Sequence, residues 1–332
     1  MVAPSPYANL IRPIRLLAAG GTIAMSGDRA VPALDAGQLI DAVPGLGDVP
    51  RLETENILSV PGPQMRPDEA LGLCRRARDA AAAGDGVVIT TGTDTLEELA
   101  MLCSLLHGAE GPIVLTGANR PSSRPGADGP ANLLDAVSVA GCAQAAGLGT
   151  VVVFGGEIHA ATSVRKVDST GPSAFGSPAA GPIGRVVEGR VWLHSRPVGL
   201  PRTLDPTTLE YRVEILTATL GDDGSSLARA AADADGLVIV AFGAGHLTPG
   251  MMRALNAAGD AKPVLITCRP ERASMLFATY GFDGAEPDVR ATAAVGVPFL
   301  SAVGARMALL CCLGSGLDRE AIAAALSRFD AS

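Results

Sequence analysis

Aromatic side chains make up only 3% of this 332-residue chain, and there is a single Trp. That scarcity leaves no platform on which bases could stack. The formal net charge is −8 and no run of Lys or Arg interrupts it, so neither nucleic acid nor an anionic membrane is expected as a partner. No stretch approaches the roughly 20 apolar residues that a bilayer span requires. The arginine-bearing start, MVAPSPYANLIRPIRLLAAGGT, holds no apolar run of the kind a secretory signal needs. The six cysteines (74, 103, 142, 268, 311 and 312) form no CxxC pair, and the four histidines (107, 159, 194 and 246) stand at no ligand spacing. The cysteines therefore read as small buried apolar side chains in a reducing compartment. The expectation is a cytoplasmic protein that holds no metal and no cofactor.

Apolar residues, mostly Ala, Val and Leu, account for 48% of the chain and charged residues for 18%, a globular balance. The length suggests two domains, each with its own core. Short apolar runs at 14–18, 87–90, 113–115 and 150–154 alternate with helical patterns at 68–83, 96–106 and 130–142. Residues 52–60 read as an edge strand. Strands alternating with helices of this length imply βαβ units. The predicted fold is α/β: a doubly wound, mainly parallel sheet in an N-terminal domain (1–195), a linker (196–212) where prolines gather, and a smaller α/β C-terminal domain (213–332).

Three strands end in threonine-bearing glycine turns: Gly20-Gly21-Thr22, Gly92-Thr93-Asp94-Thr95 and Thr116-Gly117-Ala118. Glycine lets a backbone turn sharply and approach a ligand closely. Taken alone, Thr93-Asp94-Thr95 is most simply a helix N-cap, with Asp94 and Glu97, or Thr95 and Glu98, as a capping box. Repetition on successive strands points instead to a site, because the carboxyl edge of a parallel sheet is where open α/β folds gather ligands. The stretch 26–37 is rich in Gly, Pro and Asp without periodicity and reads as a candidate lid. Lys166 could bring an amine to the hydroxyls, where it would deprotonate one of them. Gly243-Ala244-Gly245-His246 follows a strand, but its glycine spacing is wrong for a dinucleotide.

The segments GGTIA (20–24), TGTDTLEELA (91–100), LTGANRPSSRPGADGPANLLDAV (115–137) and VRKVDST (164–170) resemble, in order and spacing, the bacterial-type L-asparaginase/glutaminase family of threonine-nucleophile amidohydrolases. The resemblance implies hydrolysis of the side-chain amide of L-asparagine, or of a related small amide, through a threonine acyl-enzyme. It makes Thr22 the nucleophile and Thr93, Asp94 and Lys166 a proton-transferring set, with the order in which the two threonines act left open. It also makes Asp94 the grip on the substrate ammonium. Gly21 and Gly92 would bring backbone against the substrate, with the amides after Gly92 as oxyanion donors. Ala118 would face the leaving amide. The same resemblance implies a homodimer or homotetramer.

Three positions depart from the family pattern. The stretch 26–37 lacks the lid tyrosine, since the only tyrosines are 7, 211 and 280. The serine that meets the substrate carboxylate corresponds to Gly62, or to Ser59 with a gap. An asparagine is replaced by His246, which would hold the carboxylate or set a pH dependence. These departures keep two other outcomes open: an altered family member acting on a different amide, and a non-catalytic amino-acid-binding protein. The acidic charge argues against a tRNA-dependent amidotransferase subunit.

Overall fold

The computed structural model describes residues 10–27, 31–32, 34–197 and 203–330. The signal-sequence reading therefore falls partly on residues 1–9, the lid on 28–30 and 33, and the linker on 198–202, all outside the described residues. The chain divides into two units, Met1–Leu200 and Pro201–Ser332.

In the first unit, eight strands form one sheet in the order Arg190–Leu193, Gly184–Val187, Glu157–Ala160, Thr150–Phe154, Ile113–Thr116, Gly86–Thr90, Ile14–Gly20 and Leu52–Val60. The last five in that order pair in parallel. Leu52–Val60 lies at one edge, as expected. Numbered along the chain, these five follow the order 2-1-3-4-5, so the winding reverses between Ile14–Gly20 and Gly86–Thr90. At such a reversal neighbouring loops leave in opposite directions and open a crevice at the carboxyl ends of the strands.

Side-chain alternation explains the layers. Ile14, Leu16, Ala18, Val88, Val114, Val151 and Val153 share one cluster with Leu133, Ala136, Val137 and Ala140 of the helix Gly129–Gly141, and with Ala36 and Leu39 of the helix Ala36–Asp41. The helices Pro67–Ala82 and Leu96–Leu106 pack on each other and on the strands of the sheet. Burial on both faces is why the strands read as unbroken apolar runs.

One expectation needs correction. The stretch 26–37 is not aperiodic: Met25–Ser26 pairs with Val31–Pro32, and Asp35 caps the helix Ala36–Asp41 in a capping box with Gln38. The sheet also continues beyond Thr150–Phe154. Gly155 and Gly156, with φ of 59° and 79°, make the left-handed two-residue turn that suits a hairpin, and the chain returns antiparallel as Glu157–Ala160. Gly184–Val187 and Arg190–Leu193 complete this antiparallel flank.

The second unit has four parallel strands in sequence order, Val213–Thr217, Gly236–Ala241, Val264–Cys268 and Val295–Gly296. Leu227, Met251, Met252 and Leu255 of the helices Ser225–Asp233 and Pro249–Ala258 cluster with Leu237, Ile239 and Ile266 of this sheet.

Two buried groups in the first unit titrate in opposite senses. Burial raises the Asp135 carboxyl to about 6 and lowers the His159 ring to about 4. The stability that neutral Asp135 contributes is complete below pH 3.8 and is lost as pH rises through 6. The contribution of neutral His159 is complete above pH 6.5 and is lost as pH falls towards 4. Asp135→Asn should therefore stabilise the protein at pH 7 by about 1–2 kcal/mol, allowing for the partial exposure of the residue. The gain should vanish near pH 4. Urea unfolding at both pH values measures it, and equal midpoints for the two proteins at pH 7 would contradict the cost assigned to burial.

Candidate active site

The site forms where the winding reverses. Ala18 pairs with Thr90 in the register of the two strands, so the turns after them leave the sheet side by side. They touch through backbone alone. A Cβ on Gly21 would fall inside the backbone of Thr91 and Gly92, and Gly21 itself sits at a φ of 79°. Only glycine satisfies both conditions. Thr22 follows this contact and opens the 3-10 turn Thr22–Ala24.

Two more turns close on the same point. A Cβ on Gly92 would lie 2.8 Å from the Gly62 nitrogen, and one on Gly62 would lie 3.1 Å from Thr95 Oγ1. On the other side, a Cβ on Gly117 would lie 2.6 Å from the Thr91 carbonyl oxygen and 3.4 Å from Thr93 Cγ2. Gly21, Gly62, Gly92, Thr93 and Gly117 are thus drawn together by turns from four separate parts of the chain, with Thr22 and Ala118 the next residues in two of them. Ser59 lies a few residues before Gly62 and lines a neighbouring cavity of about 440 Å³ with Gly20, Asp35, Gln38 and Asn56.

Lys166 enters from the short strand Arg165–Lys166, which pairs with Phe175–Gly176. Its Nζ donates to Thr93 Oγ1 at 2.9 Å and to Asp94 Oδ1 at 2.7 Å. The lysine side chain is 19% exposed and the Asp94 side chain 60%, while Thr93 is 6% exposed. Because Thr93 Oγ1 accepts from the ammonium, its own proton remains free to be passed on.

The expected capping box is absent. Thr95 is the N-cap of Leu96–Leu106 but makes no capping hydrogen bond. Its backbone stands at φ −117° and ψ 8°, away from the extended conformation that aims an N-cap oxygen at the first-turn amides. Asp94 is engaged with Lys166 instead. Burial raises the Glu97 carboxyl above the ordinary range, even though the neighbouring Arg165 charge pulls it down.

Asp128 and Asn132 were not singled out from the sequence, yet they hold the turn that carries Ala118. Asp128 accepts the N–H groups of Asn119 at 3.0 Å and Arg120 at 2.8 Å. Asn132 donates to the Gly117 carbonyl at 3.0 Å and accepts the Gly155 N–H at 3.0 Å. Asn119 in turn donates to the Gly171 carbonyl at 2.8 Å, tying this loop to the segment that follows Lys166. The available signal was polar residues at i and i+4 flanking Pro130, at the start of an apolar helix.

His246 belongs to the second unit. Its Nε2 lies 2.9 Å from Glu286 Oε2, and the rings of Tyr280 and Phe282 stand edge-on to it at 5.0 Å and 4.9 Å. Burial pushes the Glu286 carboxyl up, but the N–H groups of Tyr280 and Thr279 and the His246 ring together hold it below its ordinary value. Among the described residues, no group of three or more His, Cys, Asp or Glu is placed to hold a metal ion.

The family model for the asparaginase N-terminal domain matches residues 13–199, and that for the glutaminase/asparaginase C-terminal domain matches residues 212–326. The chain belongs to the asparaginase family. It is 40% identical over 313 residues to a probable L-asparaginase of Deinococcus radiodurans, covering 93% of this chain and 95% of that protein. It is 31% identical over 332 residues to L-asparaginase 2 of Bacillus subtilis, covering 95% and 86%. A probable periplasmic L-asparaginase of Haemophilus influenzae is 38% identical over 184 residues, covering 54% and 53%. For a member of this family, the two-unit α/β architecture is the shared frame.

Asn132→Ala would leave the Gly117 carbonyl and the Gly155 N–H without their partner. The expected cost is about 2 kcal/mol or more, read as a lower urea midpoint. An unchanged midpoint would mean that the Ala118 turn is held by other contacts.

Proposed function

We propose that this protein hydrolyses the side-chain amide of L-asparagine, or of a closely related small amide, to the acid and ammonia. The observation that carries this reading is the Lys166 ammonium held between Thr93 Oγ1 and Asp94 Oδ1, beside the turn that carries Thr22. The relatives named L-asparaginase support the choice of substrate.

The Thr22 hydroxyl adds to the amide carbon, ammonia leaves, and an ester to Thr22 remains. Water then cleaves that ester, releasing the acid and restoring the threonine. Once the Lys166 ammonium has released one proton to solvent, Thr93 passes its own proton to the amine, takes the proton of the attacking hydroxyl, and delivers it to the leaving nitrogen as ammonia departs; the same relay serves the water in the second step. Asp94 Oδ1 stabilises the resulting ammonium, which leaves Oδ2 for the substrate α-ammonium. The Thr93 amide serves the developing oxyanion, and the Ala118 carbonyl receives the leaving amide nitrogen.

The catalytic domain is assigned to 1–195, and the protein to the cytoplasm. Six free, buried cysteines support a reducing compartment, and no helix among the described residues is long and apolar enough to cross a membrane. A homodimer or homotetramer is the proposed assembly. Exposed Leu220, Phe277, Tyr280, Phe282 and Phe299 on the second unit give it apolar surface to cover. His246, among these rings, would then serve a partner's substrate.

Ammonia release from Asn and Gln, with Thr22→Ala, Thr93→Ala and Lys166→Met as controls, tests the chemistry. Turnover of Asn should fall by about 10²–10⁴ in each variant. Background rates on both substrates at high enzyme concentration would overturn the asparagine assignment. Activity on a bulkier amide would then point to an altered family member, and thermal stabilisation by Asn without turnover to a binding protein. A monomeric mass in solution would overturn the assembly.

A further inference from the structure

Lys166 is one of only two lysines in the chain, the other being Lys262. It stands on a short hairpin, in which Lys166 lies opposite Phe175 and Arg165 opposite Gly176. A pair of two-residue strands fixes little by itself. The reach of the ammonium to Thr93 and Asp94 therefore depends on contacts from outside the hairpin, and the antiparallel flank of the main sheet supplies two. Phe154, at the end of Thr150–Phe154, sets its ring 5.0 Å from that of Phe175. His159, in the returning strand Glu157–Ala160, brings Nδ1 to 3.1 Å from the Oγ of Ser177, the residue after Gly176. Both partners in this second contact are buried. His159 lies opposite Val152 in the sheet, so its ring is carried on a rigid frame. Glu157 Oε2 lies 3.5 Å from the other ring nitrogen. A ring proton on Nε2 faces that carboxylate and leaves Nδ1 to accept the Ser177 O–H. Burial pushes the ring down to about 4, which keeps it neutral and able to accept.

We propose that His159 is a positioning residue for amide hydrolysis: through Ser177 it docks the strand Phe175–Gly176 on the main sheet, and so holds the Lys166 amine within reach of Thr93 Oγ1. The role in catalysis rests on the assignment of Lys166 as the proton carrier. A histidine that only filled its place in the core would, when replaced, lower stability and leave the lysine as it is. The hairpin has another tether between its strands, where Asn119 donates to the Gly171 carbonyl at 2.8 Å, and that tether is untouched in every variant of the test.

Trace labelling of the whole protein with acetic anhydride at a fixed alkaline pH tests the dock without any need for turnover. Peptide mass spectrometry reads Lys166 against Lys262 as internal standard. His159→Leu leaves the Ser177 hydroxyl buried without its partner, so Lys166 should label at least about fivefold faster relative to Lys262. Ser177→Ala breaks the same contact by a smaller change and should label likewise, and it serves if the leucine variant does not fold. The double variant should stay within about twofold of either single one, because both remove one contact. His159→Asn puts an amide oxygen where Nδ1 stood and should stay within about twofold of wild type. His159→Gln, whose amide reaches the Nε2 position instead, should label like the leucine variant. On asparagine, kcat should fall at least about tenfold in His159→Leu and Ser177→Ala with KM nearly unchanged, and should recover in His159→Asn. Wild-type labelling of Lys166 in either His159→Leu or Ser177→Ala would overturn the proposal, as would leucine-like labelling in His159→Asn. An enzyme that releases no ammonia would sink the assigned reaction, while the labelling would still decide the role of His159.

Discussion

The backbone contact between Gly21 and Gly92 is the constraint on which the rest of the site depends. Strands that neighbour each other at a winding reversal send their loops apart, and a crevice normally stays open between them. Here the two turns meet with no side chain between them, because one glycine has a left-handed backbone and neither has a Cβ. That approach sets the turn that leads into Thr22 against the turn that leads into Thr93, out of distant segments. The Gly62 and Gly117 turns then complete the walls.

Around this contact the polar groups form a hierarchy of supports. Asn132 and Asp128 hold the Ala118 turn, and Asn119 joins that turn to the chain beyond Lys166. Each support is a hydrogen bond to main chain, so a single side chain fixes the course of a loop. A substitution among these residues can move a reacting atom without touching it.

The parallel core was legible because its strands are buried on both faces, which leaves 14–18, 87–90, 113–115 and 150–154 as plain apolar runs. The glycine turns were legible because threonine and glycine recur at strand ends. The antiparallel flank was not, since each of its strands is four residues long and Glu157, Arg185 and Arg190 break the pattern. The helix Ala36–Asp41 was hidden in a segment whose Gly, Pro and Asp content signals loop, although Asp35 and Gln38 are three residues apart, as a capping box requires. At 94–98 the sequence offered two uses for the same residues. Capping is the local one, and contact with a lysine some 70 positions away displaced it. No rule based on neighbours in sequence can rank those two.

The unequal wetting of the two ends of the lysine contact has its own consequence. Thr93 is sealed at 6% exposure, whereas the Asp94 side chain is 60% exposed. Solvent therefore reaches the carboxylate end of the contact far more readily than the hydroxyl end. The sealed end keeps its electrostatic strength, while dissolved ions can reach and weaken the other. The contact is wet at one end and dry at the other, according to which side chain the fold leaves in water.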